Sequence, residues 1–370
     1  MRNASRAAVA LALLTVATPG RGVELAEGKL SVAGFGEWAF GETRGGGNRY
    51  VVGTRDGNYQ NAELALAVIA RPDDSVVVAS QLFMGRDGEV DLDWAFVEWR
   101  PPVPFRVRLG KIKQPFGALM ELKDVGTVRP FFTLPQSVYG PAHLGAEAYL
   151  GAGLTGDVKL GGDGYALDWD LYGGAMNLPV YEPFAVLATP PPWTFPQVES
   201  ELARNVVGAR LTLATPVDGL VFRVSGYTGT MKMEEATGES DVRLTVGGLT
   251  AEYVDDRFTL RAEAFGRKEG SFEDGYGAYV DAGAFVTKHV QVAVRAEVSR
   301  SHVDGIPSSS TLLRHDEAAV GANYWFTPDV VFKLSYHLVY GNRFATPDVS
   351  ADGVLQKRTE LVVAGTQFSF

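Results

Sequence analysis

The sequence predicts an all-β protein, a transmembrane antiparallel β-barrel of about sixteen strands with short periplasmic turns and long extracellular loops. Three observations support this fold class. Apolar and polar residues alternate with a period of two, and no stretch has a convincing amphipathic helical pattern. Tight turns alternate along the chain with connections that include long loops. The chain also ends inside a strand, at Phe370, whereas the termini of soluble proteins are usually polar and frayed.

The first 22 residues are predicted to be a secretory signal peptide, which leaves residues 23–370 as the barrel domain. Arg2 and Arg6 precede the apolar run from Ala7 to Val16, and a Pro19-Gly20 break follows. That run is too short to cross a bilayer as a helix. The alternative interpretation is a buried N-terminal helix.

Strands are assigned where the alternation is bounded by turn residues. In chain order they are 30–42, 60–71, 75–85, 89–100, 103–113, 147–160, 165–176, 203–215, 219–231, 241–254, 258–268, 275–287, 289–300, 316–326, 329–340 and 357–370.

The connections fall into two classes that alternate along the chain. Tight turns are predicted at Pro72–Asp74, Pro101-Pro102, Gly161–Gly164, Pro216–Asp218, Asp255-Asp256, Thr287-Lys288 and Thr327-Pro328. The long connections are 43–59, 114–146, 177–202, 234–240, 301–315 and 341–356. Short turns at one rim and long loops at the other are typical of transmembrane barrels. Because both chain termini then lie at the short-turn rim, the number of strands is even.

Apolar residues form one face of several strands, as a lipid-facing wall requires. The clearest example is the set Val330, Phe332, Leu334, Tyr336 and Leu338. Because a closed barrel pairs every backbone group, such faces can meet lipid. Aromatic residues gather near the tight turns, as in an interfacial belt. A β-sandwich core would show the same alternation, but the signal peptide and the sorted loops favour the barrel.

Composition excludes several functions. The chain has 34 Lys and Arg against 44 Asp and Glu, a net charge of −10, so a nucleic-acid partner is not expected. Gly151–Gly156 satisfies G-x-G-x-x-G, but it lies inside a strand and predicts no dinucleotide cofactor. The five histidines show no metal-ligand spacing, so neither a metal nor a cofactor is predicted. Cysteine is absent, so an exported chain needs an extensive hydrogen-bonded framework for its stability.

The faces opposite the apolar ones carry charged residues, which require water or partners beside them. A barrel of about sixteen strands is wide enough for an aqueous lumen. The predicted pore-lining basic residues are Arg106, Arg108, Lys111, Lys113, Arg210, Arg223, Arg243, Arg261, Arg295 and Lys333. The predicted pore-lining acidic residues are Asp91, Asp93, Asp168 and Asp170. Such ladders can set ion preference, although cross-strand pairing that supports the wall is the alternative for any single residue.

The connection 114–146 is a candidate constriction loop. Pro115 forbids continued ladder pairing, and the loop that follows is rich in apolar residues, which predicts that it folds into the lumen. The element Gly110-Lys-Ile-Lys-Gln-Pro-Phe-Gly117 resembles the strand-to-constriction-loop element of the general and phosphate-selective porins of Gram-negative bacteria. The signal peptide, the alternation and the terminal Phe370 also resemble those of outer-membrane barrels.

The resemblance implies a location in the bacterial outer membrane, in contact with outer-membrane lipids and lipopolysaccharide. It further implies that Phe370 is a signal to the barrel-assembly machinery, that Lys123 and Arg129 of the loop line the passage with Lys111 and Lys113, and that the protein is a homotrimer. The arginine ladder of the phosphate-specific members has no strand-by-strand match here.

The sequence therefore predicts a porin, a water-filled channel for passive diffusion of small polar solutes or ions, with a preference for anions as a refinement. Two other classes stay open. One is a plugged barrel that acts as an adhesin or structural protein through its loops. The other is a barrel hydrolase that uses Ser335 and His337, although residues at i and i+2 on one face are usually too far apart for a catalytic pair. No enzyme activity is expected.

Overall fold

The computed structural model describes residues 23–50, 52–85, 88–140, 144–161, 164–180, 199–235, 238–271, 273–303, 307–348 and 355–370. The predicted signal peptide, 1–22, lies outside the described residues and stays a prediction.

An antiparallel sheet closes on itself and forms the whole wall. The short β1 (Val23–Leu25) pairs with β2, and β3 (Asn48–Arg49) pairs with β18 (Thr346–Pro347) in a separate two-stranded sheet. The other sixteen strands each pair with the next along the chain, β19 pairs with β2, and the barrel is closed. They are β2 (Leu30–Arg44), β4 (Asn58–Asp73), β5 (Val76–Met84), β6 (Val90–Trp99), β7 (Phe105–Lys113), β8 (Ala148–Leu160), β9 (Tyr165–Val180), β10 (Glu199–Ala214), β11 (Leu220–Glu235), β12 (Gly238–Val254), β13 (Phe258–Glu269), β14 (Glu273–Phe285), β15 (Val290–Val303), β16 (Arg314–Thr327), β17 (Val330–Tyr340) and β19 (Arg358–Ser369).

The predicted fold class is confirmed, and each of the sixteen predicted strands overlaps one strand of the barrel. The ends differ by up to four residues, mainly at the long-loop rim, where several hairpins continue beyond the predicted ends. Hydrogen bonding between neighbouring strands extends pairing past the point at which the alternation of residue types fades.

The alternation produces an apolar outer surface and a polar inner one. On β17, Leu334 and Leu338 are exposed, whereas Lys333, Ser335 and His337 are buried on the opposite face. The same rule holds on β15, where Val292 and Val294 face outward. Polar groups thus occupy the interior, as in a barrel with a wet or polar lumen and unlike a sandwich core.

The segment between β7 and β8 runs through the interior of the barrel. It contains two 3₁₀ turns, Met120–Leu122 and Gly126–Val128, and one helical turn, α1 (Gln136–Tyr139). Its atoms contact inward side chains of β2, β10, β11, β13, β15, β16, β17 and β19. We call its described residues, 114–140 and 144–146, the lumen loop. None of the described helices has the length and apolar character that a membrane-crossing helix requires.

Candidate pore and lumen loop

A buried lysine of the wall binds the backbone of the lumen loop. The Lys333 ammonium, on β17, donates to the carbonyl oxygens of Gly126 at 2.8 Å and Arg129 at 2.6 Å. The Phe131 carbonyl lies 3.4 Å from the same nitrogen. Lys333 is 1% exposed, so these carbonyl oxygens take the place of the water molecules that its ammonium group loses on burial.

Three further wall residues extend this line of contacts along the loop. Arg295 donates to the Thr133 carbonyl at 3.1 Å, and its guanidinium lies 4.5 Å from the centre of the Phe131 ring. The Asn323 amide donates to the Pro130 carbonyl at 2.7 Å, and Arg261 donates to the Val128 carbonyl at 3.0 Å. Loop carbonyls from 126 to 133 therefore meet a row of wall donors.

Carboxylates of the wall hold the two ends of the loop. Glu263 accepts from the Ala118 N–H at 2.7 Å and from the hydroxyl of Tyr139 at 2.5 Å, so it joins the start of the loop to α1. Glu297 accepts from the Ser137 N–H at 2.6 Å. A buried backbone N–H needs a hydrogen-bond acceptor in place of water. The wall carboxylates supply that acceptor at both ends of the loop.

An apolar cluster adds to the polar contacts. The loop contributes Phe116, Leu119, Met120, Val138, Tyr139 and Leu144, all of them buried. They pack on wall residues that include Tyr172, Tyr227 and Phe265. The apolar content of the loop, which led to the prediction that it folds inward, is explained by this packing.

Most of the predicted basic ladder lies on the inward face, and five of its arginines have carboxylate partners. The pairs are Arg108 with Glu98 (2.8 Å), Arg210 with Asp170 (2.9 Å) and Glu121, Arg223 with Glu252 (3.1 Å), Arg261 with Glu252, and Arg295 with Asp281 (3.1 Å). The carboxylates at 98, 252 and 281 were missed by the sequence analysis. The signal was available: Glu252 lies opposite Arg261, and Asp281 opposite Arg295, once the hairpin register is written out.

A second cluster joins the loop to β6 and β7. The Lys113 ammonium binds Asp124 and lies 3.6 Å from Asp93, and Lys123 binds Glu147. Burial alone would raise the pKa of the Asp124 carboxyl, but the two lysine ammonium groups beside it hold that pKa below its usual range. Asp93 reaches this cluster because it is the extra residue where the pairing of β5 with β6 shifts register.

Two of the predicted pore-lining residues lie on the outer face. Arg243 is exposed and donates to the Thr228 hydroxyl, because Leu244 and Val246 take the inward positions of β12 against the apolar cluster. Lys111 pairs with the outward Leu150 and donates to the Leu92 carbonyl. The alternation set by Arg106 and Arg108 places Gly110 and Ile112 inward, so Lys111 falls on the opposite side.

The remaining predicted residues occupy less enclosed positions. Arg106 pairs with Thr155 on the inward face, and Asp168 pairs with Thr212. Asp91 lies opposite Phe83 near the long-loop rim and is exposed. Arg129 of the loop lies 3.4 Å from Glu37 on β2, a pair that joins the loop to a strand two places from β17 in the barrel.

The Ser335–His337 distance was predicted wrongly. Ser335 Oγ lies 2.8 Å from His337 Nε2, and Glu317 Oε1 lies 2.6 Å from His337 Nδ1. All three side chains are buried, and the Phe131 ring contacts His337 edge-on. Buried polar groups pair with one another where no water reaches them, which draws these two side chains together.

A cavity of about 370 Å³ remains between the lumen loop and one side of the barrel. Its wall side is formed by β2, β4 and β5, opposite the arginine-rich strands. The charged lining residues are Glu37, Glu63, Lys123, Asp124 and Arg129. Aromatic and aliphatic residues complete it, among them Phe35, Phe83, Phe132 and Leu134.

Comparisons with known proteins show the fold and no closer relationship. No protein-family model matches the chain, and no curated protein is significantly similar to it. Solved structures do match. The outer membrane channel DcaP of Acinetobacter baumannii is 10% identical with a TM-score of 0.59, over 95% of this chain and 100% of that one. OmpF of Salmonella typhi, solved with daunomycin, is 11% identical with a TM-score of 0.56, over 94% and 100%.

An anion-selective porin from Comamonas acidovorans is 11% identical with a TM-score of 0.55, over 92% of this chain and 99% of that one. At these identities the likeness is one of fold. The chain has the closed-barrel fold of outer-membrane porins and channels, as the resemblance predicted.

Proposed function

We propose that the protein is an outer-membrane channel through which small polar solutes or ions diffuse passively. The observation that carries the proposal is the lumen loop, which narrows the barrel interior without filling it. A cavity of about 370 Å³ lies beside the loop. That volume is at the lower end of small-molecule sites, so the channel passes solutes of modest size only.

The outer surface supports a membrane location. Large apolar side chains such as Leu249, Val294 and Val320 are each more than half exposed, which a soluble monomer would rarely tolerate over a whole surface. Exposed aromatics border this zone on both sides. On β13 and β14, Phe258 near the turn rim and Tyr276, which pairs with Gly266, mark the ends of a nine-residue span, 258–266. A transmembrane strand needs about 9–11 residues, so the two aromatic belts fit the two bilayer interfaces.

The anion preference predicted from the arginine ladder has little support in the cavity. The arginines that recur along β10, β11, β13 and β15 bind carboxylates, and their charge is balanced locally. The cavity lining carries three acidic residues and two basic ones. We therefore infer a channel with weak charge selection that does not favour anions.

The first test is conductance. Purified full-length protein is placed in a planar bilayer, and single-channel steps are compared with those of a variant that lacks residues 119–133. We expect small steps from the full chain and several-fold larger steps from the variant, because the deletion removes loop atoms from the lumen. Heat-modifiable gel migration establishes that both barrels are folded. Equal conductance in the two proteins would contradict the role of the loop.

A plugged barrel that acts as an adhesin or structural protein is the second candidate. The dense bonding of the loop to the wall favours it, since the Lys333 contacts fix the loop in the lumen. A folded barrel with no conductance would support that function and end the channel proposal.

A hydrolase is the third candidate. The Ser335–His337–Glu317 distances suit a catalytic triad, but Ser335 is 4% exposed and lies beneath the lumen loop. If the Ser335→Ala variant hydrolyses esters at the same rate as the wild-type protein, the hydrolase function is excluded.

The partners follow from the same proposal. Exposed aromatic and aliphatic belts contact outer-membrane lipids, with lipopolysaccharide on the loop side, and Phe370 is proposed as the contact to the barrel-assembly machinery. A homotrimer is proposed because one comparison structure is a trimer form of OmpT from Vibrio cholerae, similar in fold alone. Cross-linking in membranes tests the trimer.

A further inference from the structure

A buried cluster of four polar side chains occupies neighbouring inward positions of three strands. They are Glu297 on β15, His315 and Glu317 on β16, and His337 on β17. Glu297 lies directly opposite Glu317 in the pairing of β15 with β16, and His315 is two residues away on the same face of β16. The side chains of Glu297 and His315 are fully buried, and that of Glu317 is 4% exposed. Like charges directly opposite one another on a sheet repel, so a positive charge between the two carboxylates would stabilise this arrangement.

The orientation of the oxygen and nitrogen atoms shows where that charge belongs. Glu297 uses Oε2 to accept from the Ser137 N–H, while its Oε1 has no hydrogen-bond partner among the described residues. Glu317 uses Oε1 to bind His337 at 2.6 Å, which leaves Oε2 directed at His315. Both ring nitrogens of His315 are buried and lack a hydrogen-bond partner among the described residues.

The three remaining ligand atoms converge on one point. His315 Nε2 lies 3.4 Å from Glu317 Oε2 and 4.0 Å from Glu297 Oε1, and all three atoms lie within 4.8 Å of one another. In a tetrahedral zinc site with bonds of about 2.0–2.2 Å, ligand atoms are roughly 3.3–3.6 Å apart. The observed separations need only small side-chain adjustments to reach that geometry.

We propose that Glu297, His315 and Glu317 bind one divalent transition-metal ion of the zinc type. One imidazole and two carboxylates suit Zn²⁺ and neighbouring first-row ions. Ser137 and His337 then orient the two carboxylates, because each bonds the carboxylate oxygen that does not face the ion. A divalent ion balances the two carboxylates without requiring either imidazole to be protonated.

A second carboxylate cluster in the described part of the chain serves as a contrast. Asp93, Asp124 and Glu147 also approach one another within ligand distance. There the Lys113 and Lys123 ammonium groups already occupy the space between the carboxylates. In the described part of the chain, no lysine or arginine forms an ion pair with Glu297 or Glu317; the Arg295 guanidinium on the same strand as Glu297 is paired with Asp281.

The site has a consequence for the lumen loop. Since Ser137 belongs to α1 of the loop and binds Glu297, an ion at this site would fix the carboxylate that holds the loop. A small polar cavity lined by Ser137, Ser299, Ser301 and Arg343 adjoins the cluster, because Ser299 lies opposite His315. Its volume of about 10 Å³ is close to that of a single water molecule.

The test measures Zn²⁺ binding to the full-length barrel in detergent. The protein is stripped with a chelator, incubated with Zn²⁺ and dialysed, and bound metal is counted by mass spectrometry. We expect one ion per chain in the wild type and in His302→Gln, which removes an exposed histidine of β15. In His315→Gln and Glu317→Gln the Zn²⁺ affinity should fall by more than about 100-fold, since even outer-shell substitutions cost about 10–100-fold.

Wild-type protein that binds no Zn²⁺ would overturn the proposal without reference to any variant. So would His315→Gln protein that keeps its ion, because the binding would then be elsewhere. Folding of each variant is checked by heat-modifiable migration. If His315→Gln fails to fold, Co²⁺ bound to the wild type decides: tetrahedral absorption in the visible range supports the site, and its absence overturns it.

Discussion

Lys333 and Arg129 meet in the interior of the barrel, where the lysine ammonium donates to the arginine carbonyl at 2.6 Å. The wall residue thus holds the backbone of a loop residue whose own guanidinium lies beside Glu37 on β2. Because only β19 lies between β17 and β2, the two contacts bind the loop to neighbouring strands of one side of the barrel. The first contact also makes Lys333 the natural position at which to test how firmly the loop is held.

Replacing Lys333 with methionine keeps most of the side-chain volume and removes the donor. At least two buried loop carbonyls then lose their bond to the wall, which costs about 1–3 kcal/mol for an unsatisfied buried group. We expect the free energy of unfolding to fall by that amount and the channel current to become larger and noisier. Urea unfolding in lipid vesicles and single-channel recording are the measurements.

The matched control is Lys288→Met in an exposed tight turn, which should change stability by less than about 0.5 kcal/mol. An equal effect of the two substitutions would mean that Lys333 does not hold the loop.

The sequence predicted the barrel well because its determinants are local. Alternation along β15 or β17 is set by residues two apart, and the tight turns by two or three neighbours, so both can be seen within a short window. The predicted inner and outer faces were wrong where a strand turns apolar residues inward. On β12 the apolar residues turn inward to meet the lumen loop, which placed Arg243 on the outer side.

The path of the loop could not be predicted in the same way. Lys333 and Gly126 are 207 residues apart in the chain, and no local pattern links them. Pro115 and the apolar content indicated an inward fold, but they carried no information on which wall the loop would join. Among the partners of the arginines, Glu252 and Asp281 follow from the register of tight-turn hairpins, whereas Glu121 belongs to the loop and does not.

The buried ion pair between Arg295 and Asp281 gives a second prediction. Both side chains are fully buried, and their nitrogen and oxygen lie 3.1 Å apart. Asp281→Ala leaves the guanidinium without its carboxylate, and such a loss costs about 3–5 kcal/mol. Urea unfolding should show this decrease. Glu42→Ala, which breaks the exposed pair with Arg44, should cost at most about 1 kcal/mol; similar costs for both would contradict the argument.

Gly277 gives a third prediction because it lets the loop approach the wall. A Cβ at this position would lie 1.9 Å from the Ser137 carbonyl oxygen. Gly277→Ala should therefore push α1 away and cost about 1–3 kcal/mol of stability, as overpacking does. Gly266→Ala on the neighbouring strand meets nothing closer than 3.8 Å and serves as the control. Equal melting behaviour of the two variants would show that α1 does not pack on this strand.

The charge of the cavity gives the last prediction. Glu63 lies on β4 and lines the cavity, with Glu37 beside it on β2. Glu63→Lys replaces one negative charge with a positive one at a narrow passage, where fixed charges act most strongly on permeant ions. The reversal potential measured in a salt gradient should shift toward the equilibrium potential of the anion. Asp256→Lys makes the same charge change in an exposed turn, where salt screens it, and should shift the potential far less. A shift of equal size in both variants would mean that ions do not pass along the β2–β4 wall, and it would place the conducting path elsewhere in the lumen.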